Sequence, residues 1–161
     1  MTEVRFYHLQ KSKLEQALPA LLTQARKQDM RSLIKCAHEA QVKHLDEQLW
    51  TFQANSFLVH GTAGGNCDRQ QPILLTTDDE NLNDAGLLVM VGNAAVADVS
   101  PYKLCCYMFD GLDEEALSMA RMKWMTYKKD GFHIKYFQQT DGGKWEEKAS
   151  ANVPKAEGAT S

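Results

Sequence analysis

The two runs Ile73-Leu74-Leu75-Thr76-Thr77 and Gly86-Leu87-Leu88-Val89-Met90-Val91 constrain the fold more than any other feature of the chain. Both are short and almost wholly apolar. They lack the alternation that would let one face of a strand meet water, so each must be covered on both faces. Helices on both sides of a parallel sheet provide that cover.

The flanking segments supply the helices. Val4 to Leu9 reads as a first strand, followed by a helix from about Lys13 to Gln28 with Leu14, Leu18, Leu21, Leu22 and Ala25 facing inward. Ser12 and Glu15 make a Ser-x-x-Glu capping box at its start. Pro19 either kinks this helix or marks its first turn. Arg31 to Ala37 reads as a second strand and Glu39 to Phe52 as a second helix. Lys103 to Phe109 is another strand, and Asp113 to about Lys129 the last long helix. Phe132–Gln139 and Gly143–Lys148 form a hairpin across Thr140-Asp141-Gly142, because Asp-Gly is a strong turn signal. The order strand, helix, strand, helix implies right-handed crossovers and a three-layer α/β fold of Rossmann-like type, mostly parallel, with helices on both faces. Residues 1–148 are expected to form one such domain. Residues 149–161 carry no apolar pattern and read as a disordered tail.

Sheets of this class often carry nucleotide chemistry, but the parts are missing here. After Leu9 the chain continues Gln10-Lys11-Ser12-Lys13, with no glycine for close phosphate approach and neither dinucleotide nor P-loop fingerprint. Gly61-Thr62-Ala63-Gly64-Gly65 has no following Lys-Ser/Thr and reads as a flexible surface loop. The histidines His8, His38, His44, His60 and His133 contain no metalloprotease pair, and no Cys-x-x-Cys occurs. Cys36 and the Cys105-Cys106 pair lie in apolar strand-like runs, as reduced buried thiols do. Asp78-Asp79-Glu80 reads as a solvated helix start. No nucleophile context is recognisable, so the expectation is no enzyme, no cofactor and no metal.

With a net charge of −3 the chain as a whole is not built to bind a polyanion, and work near nucleic acid would pass through another protein or a local patch. No apolar run approaches the roughly 20 residues of a membrane span, and Met1–Arg5 opens directly into a strand without a secretory leader. The cytoplasm is the expected compartment.

Two surfaces stand out. In the second helix Val42, Leu45, Leu49 and Phe52 form the core stripe, and Trp50 falls roughly 120° from its centre. A large aromatic there is either covered by the following loop, with Phe57 and His60, or presented to a partner. In the last helix Ala116, Ala120 and Tyr127 centre the buried face, while Leu117, Arg121, Trp124 and Lys128 line one flank. That flank is either a snorkelling cover for the core or an aromatic shelf beside cations, suited to an acidic peptide with an apolar C-terminal residue.

Leu45-Asp46-x-x-Leu49-Trp50 followed by Ser56-Phe57-x-x-His60 resembles the signature of the chi subunit of bacterial DNA polymerase III holoenzyme. Phe6-Tyr7-x-Leu9 is similar to that family's first strand, and Ala120-Arg121, Tyr127 and Gly131-Phe132 to its late helix and following turn. The likeness extends from about residue 4 to 148, and four motifs in order carry it. It implies a non-catalytic accessory subunit of the clamp-loader complex, bridging the psi subunit to the acidic C-terminal tail of single-stranded DNA-binding protein during replication. On that analogy Asp46, Trp50, Phe57 and His60 face psi, or a helicase sharing the surface. Arg121, Lys123, Trp124, Lys128, Gly131 and Phe132 then receive the tail. Met125 and Leu117 stand where the family would place bases, and Lys123, Lys128, Lys129 or Lys135 would supply that charge. Single-stranded DNA would be reached only indirectly, in the cytoplasm at replication forks. Two rival readings are a nucleotide-dependent α/β enzyme with an unrecognised phosphate site, and a direct single-strand binder that stacks bases on Trp50 and Trp124.

Overall fold

The computed structural model describes residues 2–9, 14–51, 61–62, 68–94, 96, 98–140 and 144–152; for Glu15, Trp50, Thr51 and Asp68 it describes the backbone alone. The elements in chain order are β1 (Glu3–Leu9), α1 (Leu14–Lys27), β2 (Ser32–Lys35), α2 (Glu39–Thr51) and β3 (Gly61–Thr62). After a 3-10 turn at Asp68–Gln70 come β4 (Ile73–Thr76), β5 (Leu87–Met90), β6 (Leu104–Asp110), α3 (Glu114–Lys129), β7 (His133–Gln139) and β8 (Trp145–Ala151). They form one eight-stranded sheet in the order β3-β4-β2-β5-β6-β1-β7-β8. Every pair is parallel except β7–β8, which is antiparallel.

The strand alternation divides the core into two. On one face Tyr7, Leu9, Ile34, Leu75, Val89 and Met108 meet Leu18, Leu22 and Ala25 of α1 and Val42, Leu45 and Leu49 of α2. On the other face Val4, Phe6, Leu33, Leu74, Leu88 and Tyr107 meet Ala116, Ala120 and Tyr127 of α3, together with Val99 and Tyr102 from the β5–β6 connection. These are the three layers that the doubly covered strands of the sequence require.

Each helix follows from local chemistry. In α1 the inward stripe is the expected one, and in α2 Val42, Leu45 and Leu49 are buried as expected, while Phe52 lies outside the described residues. Helix α1 runs through Pro19, which excludes Pro19 as its first turn. In α3 the Asp113 side chain accepts from the Glu115 N–H at 3.1 Å, an N-cap. Its far end closes in a Schellman pattern. The Gly131 N–H donates to the Lys128 carbonyl at 3.2 Å and the Phe132 N–H to the Tyr127 carbonyl at 3.1 Å. Gly131 sits at φ +86°, where a side chain is strained, and the Phe132 and Tyr127 rings meet edge-on at 5.8 Å.

The structure departs from the sequence reading in three places. Strand β8 continues three residues beyond Lys148, through Ala149-Ser150-Ala151. Its backbone pairs with β7 (Tyr136 opposite Ala149, Ile134 opposite Ala151), a bond that needs no apolar pattern. Gly61-Thr62, read as the start of a flexible loop, is a short strand paired with β4. Asp78-Asp79-Glu80 begins no helix: β4 reaches β5 by a bend held by side-chain hydrogen bonds. Buried Asn83 donates to the carbonyls of Ser32 (3.0 Å) and Gln71 (2.9 Å), and Asp79 pairs with Lys35 at 2.8 Å. These bonds replace the helix that a parallel crossover usually carries. The proposed Ser12–Glu15 capping box lies outside the described residues.

Candidate interaction surfaces

The flank of α3 is built from both the helix and the sheet beneath it. Trp124 is half-buried. Its ring stands edge-on to Phe6 of β1 at 5.6 Å and to Tyr136 of β7 at 6.0 Å. Leu117 and Phe132 pack against the same core, so the apolar members of this flank cover core and form a surface at once. Arg121 and Lys128 are exposed on that side. Met122 and Met125 add apolar surface, each 68% exposed.

Lys123 lies elsewhere. Its ammonium sits 5.6 Å over the Tyr107 ring of β6, on the other side of β1 from Tyr136, and burial draws its pKa below the ordinary value. One residue of helix is a rotation of about 100°, enough to send Lys123 and Trp124 to opposite flanks. Gly131 and Phe132 stand at the end of the same helix, where the Schellman closure gives them a structural task. Asn152, just past β8, donates to the carbonyls of Lys128 (2.9 Å) and Phe132 (3.0 Å) and ties the sheet edge to that helix end.

The floor beside Trp124 was missed from sequence. Tyr136 is half-buried, its hydroxyl is 2.5 Å from His8 Nδ1, and its ring lies 6.0 Å from that of Phe109. Burial raises the Tyr136 phenol pKa, and nearby Arg121 opposes that rise. His8 Nε2 has no hydrogen-bond partner among the described residues, and a Cβ on Gly111 would overlap it. The pKa of His8 is lowered by burial against an opposing pull from Asp110. The legible signal was the alternation Ile134, Tyr136, Gln138, which puts Tyr136 under α3 once β7 is placed beside β1.

The surface around α2 is described in part. Trp50 is the penultimate residue of α2, its side chain lies outside the described residues, and so do Phe57 and His60. Asp46 is half-buried and lines a cleft of about 380 Å³ at the end of β4, with Lys43, Thr62, Thr77 and Asp78. Across it the Thr77 hydroxyl donates to Glu39 at 3.0 Å.

Among the described residues no group of three or more His, Cys, Asp or Glu could hold a metal ion, and no helix is long and apolar enough to cross a membrane. Cys36, Cys105 and Cys106 are buried free thiols, and burial pushes Cys36 and Cys106 up to about 12.

The fold is a three-layer α/β sheet, and the flank of its last helix presents the half-buried Trp124 ring beside the exposed Arg121 and Lys128. Residues 1–135 match the family described as DNA polymerase III chi subunit, HolC, and the chain belongs to that family. It is similar to the DNA polymerase III subunit chi of Pseudomonas aeruginosa, 28% identical over 138 residues, covering 83% of this chain and 94% of the relative. The Escherichia coli K12 protein of the same description is 24% identical over 123 residues, covering 76% of this chain and 84% of its own length. A probable subunit chi of Rickettsia prowazekii is 25% identical over 103 residues, 64% of this chain and 62% of that protein. Membership places the chain among the accessory subunits of a replicative polymerase holoenzyme.

Proposed function

We propose that this chain is a non-catalytic adaptor of the clamp-loader complex, joining the psi subunit to the acidic C-terminal tail of single-stranded DNA-binding protein at replication forks in the cytoplasm. The carrying observation is the α3 flank, where exposed Arg121 and Lys128 bracket the half-buried ring of Trp124. Cations beside an aromatic shelf fit a short acidic peptide that ends in an apolar residue and a free carboxylate. Psi, or a helicase competing with it, would occupy the other surface through Asp46, Trp50, Phe57 and His60. Single-stranded DNA would be contacted only through these partners, in keeping with the net charge of −3.

The test is a fluorescence titration with a labelled acidic peptide ending in Pro-Phe. Micromolar binding that weakens with salt, and falls about tenfold or more in Arg121→Glu, is the expected result. Trp124→Ala should lose binding too, but its contact with Phe6 makes Arg121→Glu the cleaner variant. Absence of binding by the unmodified chain would remove the tail-binding role.

A further inference from the structure

We infer that the outward face of α3 is a homodimer seam, on which two copies of this chain pack helix against helix in antiparallel order. The inference does not rest on the adaptor reading. Among the described residues the exposed large apolar side chains are Leu112, Met122 and Met125, and all three belong to α3 or its approach. Met122 and Met125 are each 68% exposed in mid-helix. At about 100° per residue, Glu114, Ser118, Met122, Met125 and Lys129 fall within a stripe about 80° wide, opposite the buried Ala116, Ala120 and Tyr127. All five are exposed, and their spacing of three and four residues is that of a helix–helix seam.

The charge order along this row is complementary to its own reverse. Acids fill the first turn of α3 (Glu114, Glu115) and bases the last (Lys128, Lys129). A parallel second copy would set like charges together, whereas an antiparallel one sets acid against base at both ends. A two-fold axis beside Met122 puts Glu114 opposite the partner's Lys129 and, by symmetry, Lys129 opposite the partner's Glu114. It also puts the small Ser118 opposite the partner's Met125, which gives the long thioether room to lie flat, and brings the two Met122 side chains together at the axis. Neither Glu114 nor Lys129 holds an ion pair among the described residues, so both charges are available.

The length of the helix sets the strength. Its 16 residues span roughly 24 Å. One helix pair of that length buries less than the roughly 1,200–2,000 Å² of a standard stable interface. The dimer is therefore weak, with a Kd on the order of 100 μM, and salt weakens its end pairs further. The contact closes at two copies, and it uses the face of α3 that points away from the sheet.

Sedimentation equilibrium of the full chain at low salt, from about 10 to about 500 μM, tests the seam. The mass should rise with concentration from the monomer's 18.1 kDa toward twice that value. Met122→Gln combined with Met125→Gln removes the apolar centre without adding charge. Glu114→Lys and Lys129→Glu each set like charges together at both ends. Each of these three variants should weaken dimerisation about tenfold or more. Mixing Glu114→Lys chains with Lys129→Glu chains should restore it, because one chain is then basic and the other acidic at both positions. All the substituted positions are exposed, and circular dichroism confirms that each variant keeps its helices. A parent that stays at 18.1 kDa throughout overturns the seam. So does a dimer indifferent to the methionine pair, and so does a mixture of the two folded charge variants that fails to dimerise.

Discussion

The two halves of the sheet are built on different principles. In the half β4-β2-β5 each strand is four residues long and buried throughout. In the half β6-β1-β7-β8 each strand is seven residues long, and burial falls toward the edge, from five buried residues each in β6 and β1 to three in β7 and none in β8. The first half uses its apolar side chains for packing, with Lys35 and Thr76 holding the turn beyond β4. The second keeps a layer of half-buried aromatics, Tyr136 and Trp124 on one face and Phe137 and Trp145 on the other, which are neither sealed nor free. Surfaces that receive partners come from such layers, because an aromatic already held by neighbours loses little entropy on binding.

The sharpest way to break this comparison is to cut the packed half. Leu88 is fully buried at the centre of β5 and contacts the α3-side core. Leu88→Ala should cost about 2–5 kcal/mol, read by urea denaturation, while the folded fraction keeps the peptide affinity of the parent. A loss of affinity in fully folded Leu88→Ala protein would show that the two halves are not independent.

Next in size is the stop of α3. Gly131 has a left-handed φ of +86° and open space where a Cβ would stand, so Gly131→Ala is opposed by backbone strain and not by a clash. It should cost about 1–2 kcal/mol. Because the Phe132 N–H closes onto Tyr127, it should also loosen the helix end that Asn152 ties to β8. Asn152→Ala removes only that tie and should cost about 0.5–1.5 kcal/mol. Amide hydrogen exchange would localise the change to β8 and the last turn of α3, with β4, β2 and β5 unmoved.

The same division explains what the sequence made legible. Unbroken apolar runs announce a doubly covered strand, so β4 and β5 could be placed within a residue, and the 3.6-residue stripes of α1, α2 and α3 named their buried faces correctly for the residues described. Where backbone or side-chain hydrogen bonds take over from apolar patterning, the reading failed. Ala149-Ser150-Ala151 has no strand signature, yet it pairs with β7. Asp78-Asp79-Glu80 looked like a helix start, yet Asn83 and the Lys35–Asp79 pair hold an extended bend there. On the candidate site, Trp124, Arg121 and Lys128 follow from helical spacing. Lys123 was grouped with them by charge, although its rotation about the helix sends it to Tyr107. Tyr136 was missed because its alternation with Ile134 and Gln138 brings it to Trp124 only once β7 lies beside β1, and no local spacing encodes that strand order.

The smallest predicted effect tests whether the imidazole beside Tyr136 in the aromatic layer is held neutral by burial. His8 lies beside Tyr136 on the neighbouring strand, and its pKa is lowered from the ordinary 6.5, first by burial, with Asp110 pulling the other way. The folded state therefore prefers the neutral ring, while the unfolded chain takes up a proton near the ordinary value. As pH falls through 6.5 the unfolded state binds more protons than the folded one, so stability declines with falling pH. The decline levels off below the folded pKa, and above 6.5 the group contributes no slope. His8→Leu removes this term together with the hydroxyl contact to Tyr136. The stability difference between parent and variant, measured by urea titration, should thus shift in favour of the variant between pH 7.5 and pH 5.5. An unchanged difference would mean that the His8 ring titrates alike in the folded and unfolded chain. The His8–Tyr136 contact would then stand without burial of a neutral imidazole, and burial would set the exposure of the aromatic layer but not the charge state of the ring beside it.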